Sequence, residues 1–137
     1  MLFRSDAFYA SSHQAPFYPG TGDTSERGVA GNILNMPLRA GSGGRAFRAG
    51  YEREILPALQ SFAPDFIFIS AGFDAHRDDP LAELELVESD FSWVTHAICE
   101  IARVSCGARV VSVLEGGYDL EALARSAAAH VRALMEA

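Results

Sequence analysis

Two short apolar runs, residues 66–71 (FIFISA) and 109–114 (RVVSVL), decide most of what this chain can fold into. Each is continuously apolar and β-rich, the pattern of a strand covered on both faces. Between them Phe91, Val94, Ile98 and Ile101 recur at helical spacing behind Ser89, a residue able to cap the helix. A strand, a crossover helix and a second strand make a right-handed unit, so the two strands run parallel and end at one edge of the sheet.

The rest of the chain extends that pattern. Residues 7–11 (AFYAS) and 32–38 (NILNMPL) read as two further strands, separated by a Gly/Pro-rich loop. Over residues 45–62 the stripe Phe47, Tyr51, Ile55, Leu59 and Phe62 predicts a helix. Pro57 lacks a donor and crowds the carbonyl of Arg53, which predicts a kink there. Asp119 can cap a last helix, with Glu121 in its first turn and a stripe of Leu120, Leu123, Ala127, Val131 and Leu134. The order β-β-α-β-α-β-α predicts an α/β domain, a mainly parallel sheet in a three-layer α-β-α stack. With 137 residues, 49% of them hydrophobic, and no repeat or linker, residues 1–137 read as one domain.

Charge narrows the partners. A net charge of −7 argues against nucleic acid, which needs a basic surface, and suits a cationic substrate, although acidity also serves solubility. Cys99 and Cys106 fall in and just after a helix and read as buried, reduced thiols. No apolar run is long enough to span a membrane, and the N-terminus lacks the apolar segment of a signal peptide. The expected location is cytoplasmic.

In parallel sheets ligands bind beyond the carboxyl ends of the strands. Asp74, in SAGFDAHRDDPL, and Tyr118, in LEGGYDL, each follow one of the two apolar runs and are expected side by side. Asp74 suits a catalytic metal site as a hard oxygen ligand, or equally caps a turn. Asp74 and His76 have a spacing that presents two ligands if the backbone is extended, but an exposed loop histidine is the simpler reading. Asp78 and Asp79, before Pro80, read as turn formers. Tyr118 follows Gly116 and Gly117, which permit close approach to a ligand, so its phenol can donate to an oxyanion or simply sit at the lip of a helix. Phe17 and Tyr18, in PFYPGTGD, form either one wall of a slot or loop aromatics folded onto the core. No Gly-Lys-Ser/Thr follows the glycines, so this is not a phosphate loop.

Taken together, SSHQAPFYPGTGD, NILNMPL with its Gly-rich turn, SAGFDAHRDDPL and LEGGYDL resemble, in order, blocks of the histone deacetylase superfamily, which includes acetylpolyamine deacetylases and acetoin-utilisation proteins. Glu115 and Leu81 look like the class II and bacterial members. The resemblance implies an arginase/deacetylase-like fold whose N-terminal part is missing here, and Zn2+-dependent removal of acetyl groups from lysine or polyamine amines. It implies Asp74 as a zinc ligand and Tyr118 as the transition-state donor. Phe17 and Tyr18 would flank an acyl channel lined by Leu81, Gly116 and Gly117, and Ser11 and Ser12 would lie near a monovalent cation, K+. His76 falls where the family has no ligand.

The family's Asp-x-His ligand pair and tandem histidines precede the aromatic loop. The histidines here are His13, His76, His96 and His130, none adjacent to another. The isolated chain is therefore expected to be inactive. It is also expected to expose apolar surface where strands are missing, and to associate through that sheet edge, as a homo-oligomer or with a partner. Residues 1–5 match nothing in the pattern and are set apart as non-native. The alternative is a non-catalytic binding or assembly module on the same scaffold. A serine hydrolase ranks last, for want of a Gly-x-Ser-x-Gly elbow.

Overall fold

A computed structural model describes residues 6–17 and 20–137. Strand β1 (Tyr9–Gln14) pairs in parallel with β2 (Ile33–Leu38). A long helical passage follows: α1 (Gly44–Gly50), a π-helical turn (Tyr51–Ile55) and α2 (Leu56–Phe62). Then come β3 (Ile67–Ala71), α3 (Glu88–Cys106), β4 (Val110–Leu114) and α4 (Leu120–Met135), with β3 parallel to β4. The α/β class and parallel pairing are those expected. Among the described residues, however, the strands form two two-stranded sheets. Side chains rather than ladder hydrogen bonds join them, in a core of Met36 and Leu38 from β2, Phe47 and Ile55 from the helical passage, Ala71, Phe73, Leu86 and Phe91.

Pro57 does its work inside a continuous helix. It lies in the first turn of α2, and the turn before it widens until the N–H of Leu56 reaches the carbonyl of Tyr51, five residues back. A wide turn relieves the crowding a proline imposes on the preceding turn, and the local distortion expected at Pro57 takes the form of this π-turn.

The two apolar strands are not covered on both faces. Ile67, Ile69 and Val110 pack on Leu59, Ile98, Ala102 and Cys106. The opposite face carries Phe66, Phe68, Val111 and Val113, and Phe68 is 75% exposed. The cause is that α2, α3 and α4 all stack against the same side. Continuous apolarity marks residues that want cover, and does not say where the cover comes from.

Both long helices are rotated from the predicted stripes. On α3 the buried line is Phe91, Thr95, Cys99, Ala102 and Cys106; on α4 it is Ala122, Ser126, His130 and Ala133, leaving Leu120 and Val131 exposed. Small and polar residues let these helices approach closely, while the larger apolar ones lie at the margins. Asp119 caps α4 as expected, accepting from the Ala122 N–H at 2.7 Å. α3 starts one residue before Ser89: the Asp90 carboxylate reaches back to accept the Val87 N–H at 3.0 Å. Cys99 and Cys106 are free and buried, and burial pushes the Cys99 thiol pKa up, away from reactivity.

His130 is the polar centre of the α3–α4 interface. The Thr95 hydroxyl donates to the Phe91 carbonyl at 2.6 Å and so accepts, at 2.7 Å, from a protonated His130 Nδ1. Nε2 in turn accepts from the Ser112 hydroxyl at 2.8 Å. Burial lowers the His130 pKa. The unfolded chain therefore binds the proton more readily, and stability rises with pH between the folded and unfolded pKa values. Stability should be fully present above about pH 6.5, the unfolded value, and fall as pH drops toward the lower folded one. Urea unfolding at several pH values should show this slope in the parent and a flatter one in His130→Gln. Equal slopes would remove His130 as its source.

Candidate active site at the ends of β3 and β4

The β3–β4 ladder runs on past both strands. Glu115 N–H bonds the Ala71 carbonyl at 3.0 Å and Phe73 N–H bonds the Gly116 carbonyl at 2.8 Å. The two loops predicted to meet are thus tied together, and Asp74 and Gly116 face each other across them. A Cβ added at Gly116 would fall 2.7 Å from Asp74 Oδ2, and one at Gly72 would lie 3.0 Å from Oδ1. Only glycine at 116 lets the carboxylate lie over the neighbouring backbone. Gly117, at φ +138, holds a conformation that favours glycine. Tyr118 comes next in the chain and is 55% exposed.

Burial pushes the Asp74 carboxyl pKa up; its own backbone N–H opposes the rise and the charge of Asp79 adds to it. Asp79 itself is buried. Its Oδ1 accepts the Leu81 N–H at 2.9 Å, the turn-forming bond expected of it, and its Oδ2 accepts the Tyr118 N–H at 2.8 Å. That second bond is the feature sequence reasoning missed. The one local signal was an acidic run, Asp78-Asp79, longer than a single turn requires.

His76 corrects an expectation. It is 2% exposed, stacked over Phe91 with ring centroids 6.5 Å apart, and its Nδ1 accepts the Asp78 N–H at 3.1 Å. The backbone between Asp74 and His76 is not extended but turned, by a bond from His76 N–H to the Phe73 carbonyl. The pairing of His76 with Leu86 then carries the ring under α3, where Nε2 lies 3.5 Å from Glu88 Oε1. Arg125 holds that acid from outside, at 2.6 Å.

The other candidates are more dispersed. Leu81 is exposed beside Asp79, and Phe17 is exposed on the loop leaving β1. Tyr18 lies outside the described residues. Gln14, at the end of β1, accepts the Glu83 N–H at 2.8 Å, which brings that strand end to the segment following Leu81. On β1 the Ser11 hydroxyl meets His13 Nδ1 at 3.1 Å, and Ser12 meets the Tyr51 hydroxyl at 3.2 Å. Burial pushes the Tyr51 phenol pKa up. Among the described residues no group of three or more His, Cys, Asp or Glu is placed to hold a metal ion. Asp74 by itself does not make a zinc site, which takes three protein ligands and an open position in an enzyme.

Parallel strands whose carboxyl ends bring an acid, a glycine pair and an exposed tyrosine together define an α/β protein, with these residues at the sheet edge where such folds bind ligands. The chain belongs to the histone deacetylase family: the family model described as histone deacetylase domain matches residues 2–134, a span that includes residues 2–5. It is 47% identical over 135 residues to the protein named "Probable deacetylase" of Methanothermobacter thermautotrophicus, covering 94% of this chain and 39% of that protein. It is 45% identical over 133 residues to histone deacetylase 10, chloroplastic, of Oryza sativa subsp. japonica, covering 95% and 30%. The fold matches the crystal structure of acetylpolyamine aminohydrolase from Burkholderia pseudomallei with a TM-score of 0.85 and 33% identity, over 96% of this chain and 39% of that one. The chain therefore spans between 30% and 39% of the length of these proteins.

Proposed function

We propose that these residues form one side of the active site of a zinc-dependent deacetylase that hydrolyses the acetyl amides of lysine side chains or polyamines. The observation that carries this reading is the Asp74 carboxylate laid over Gly116, two residues before an exposed Tyr118, in a chain of the histone deacetylase family. When water adds to an amide, the carbonyl oxygen gains negative charge. A phenol O–H held at that oxygen donates a hydrogen bond that strengthens as the charge develops. Tyr118 is assigned that role. Gly116 and Gly117 give its backbone the close approach it needs. Phe17, Tyr18 and Leu81 are assigned to the walls of the acyl channel, and Ser11 and Ser12 to the vicinity of a monovalent cation.

Asp74 is the residue assigned to the metal. Since the described residues do not complete a zinc site, the remaining ligands and the proton acceptor belong to other parts of the active assembly, and the 137-residue chain alone is assigned no turnover. The test is acetate release from an acetyl-lysine peptide and an N-acetylated polyamine with zinc present. It is run on this chain alone and on this chain mixed with the complementary remainder of the Methanothermobacter relative. Turnover only in the mixture is expected. Zinc-dependent turnover by the chain alone would overturn the assignment.

A second reading rests on the open face of β3–β4. Phe66 and Phe68, with ring centroids 4.7 Å apart, join Val111 and Val113 in an apolar patch on a two-stranded sheet. Such a surface favours association, and a non-catalytic assembly module would use the same patch. A mixture that forms a stable complex but never releases acetate decides for the module.

A further inference from the structure

We infer that Asp79 is the positioning residue for Tyr118, a clamp that fixes the backbone from which the phenol is presented; this rests on the deacetylase reading above. A turn before Pro80 needs one carboxylate oxygen, and Oδ1 meets that need by accepting the Leu81 N–H at 2.9 Å. Oδ2 crosses to the other loop and accepts the Tyr118 N–H at 2.8 Å, 39 residues away in sequence. A turn has no use for that second bond.

Its setting makes it stiff. Asp79 is 7% exposed, and hydrogen bonds that N–H groups donate to a carboxylate are stronger than those between neutral groups. The segment it holds needs an outside anchor. Gly117 lies immediately before Tyr118, beyond the last ladder bond at the Gly116 carbonyl, and has the conformational freedom of a glycine, while Tyr118 is more than half exposed. Asp119, immediately after, caps α4 and fixes the far side. Asp79 thus supplies the near-side fixed point between a permissive glycine and a rigid helix. It also binds Leu81 and Tyr118 to one carboxylate, so that a channel wall and the oxyanion donor move as a unit.

Two measurements test this. In the 137-residue chain, amide hydrogen exchange at Tyr118 should speed up about tenfold or more in Asp79→Ala, while Phe68 and Val111 in the β3–β4 ladder stay as in the parent. Asp79→Asn, which keeps one carbonyl oxygen and the volume, should fall between the two and guards against general unfolding. In the active assembly, Asp79→Ala should lower kcat about tenfold with KM within twofold. It should add no further loss in the Tyr118→Phe background. Unchanged Tyr118 exchange, or losses that multiply in the double variant, would overturn the positioning role. If the unsubstituted assembly shows no deacetylase turnover, the deacetylase reading fails and the catalytic role of the clamp with it, whereas additive losses in a working enzyme remove the clamp alone.

Discussion

Tyr118→Phe, made in an assembly that turns over an acetylated amine, is expected to lower kcat by about 10²- to 10³-fold, the usual effect of removing one oxyanion donor. KM should hardly move, because the lost hydrogen bond forms as charge develops and contributes little to the bound substrate. The substitution deletes one oxygen from an exposed side chain whose position depends on its backbone N–H, held by Asp79. Folding should therefore be unaffected, and urea unfolding of the variant should superimpose on the parent. That separates a chemical defect from a structural one. A variant with parental kcat would remove Tyr118 from the mechanism.

Arg48→Met is expected to cause the largest loss of stability. Asp90 is 3% exposed. The Arg48 guanidinium contacts its Oδ1 through both Nε and Nη2 at 2.8 Å, and Oδ2 accepts the Val87 N–H. Gly44 packs directly on the carboxylate, leaving no room for water on that side. Removing the guanidinium strands a buried negative charge, which typically costs about 3–5 kcal/mol. The Arg48 side chain is itself 35% exposed, so solvent screening places the expectation near the low end, about 3 kcal/mol. Asp90→Asn should cost less, because it removes the charge together with its partner's role. Denaturant midpoints for the two variants check the order, and an Arg48→Met loss under about 1 kcal/mol would show that Asp90 reaches solvent after all.

The elements that sequence made legible are those governed by local rules. Asp119 caps α4 because a carboxylate before a helical stripe has a free N–H to accept. Asp74 and Tyr118 come out on one edge because a parallel crossover leaves no other arrangement. What stayed hidden depends on partners distant in the chain. The exposure of Phe68 is decided by α2, α3 and α4 all choosing the opposite face. The burial of His76 follows from its pairing with Leu86 and its stacking on Phe91. The buried lines of α3 and α4 run through Thr95, Ser126 and His130, polar residues that hydropathy scores poorly. The second bond of Asp79 belongs to the same class, since nothing within its own loop calls for it.

The π-turn at Tyr51–Ile55 has a consequence for how this region tolerates change in length. Such a turn is an α-helix carrying one surplus residue, and each residue advances a helix by about 100°. The surplus therefore acts as a phase shift. It lets Phe47 and Ile55 share the first core while Leu59, beyond Pro57, points to Ile67 and the second. A one-residue deletion between Tyr51 and Ile55 would restore regular winding, push Pro57 against its preceding turn and swing Leu59 a quarter-circle off β3. A point substitution at the same positions leaves the winding intact, so the region should accept changes of side chain far more readily than changes of count.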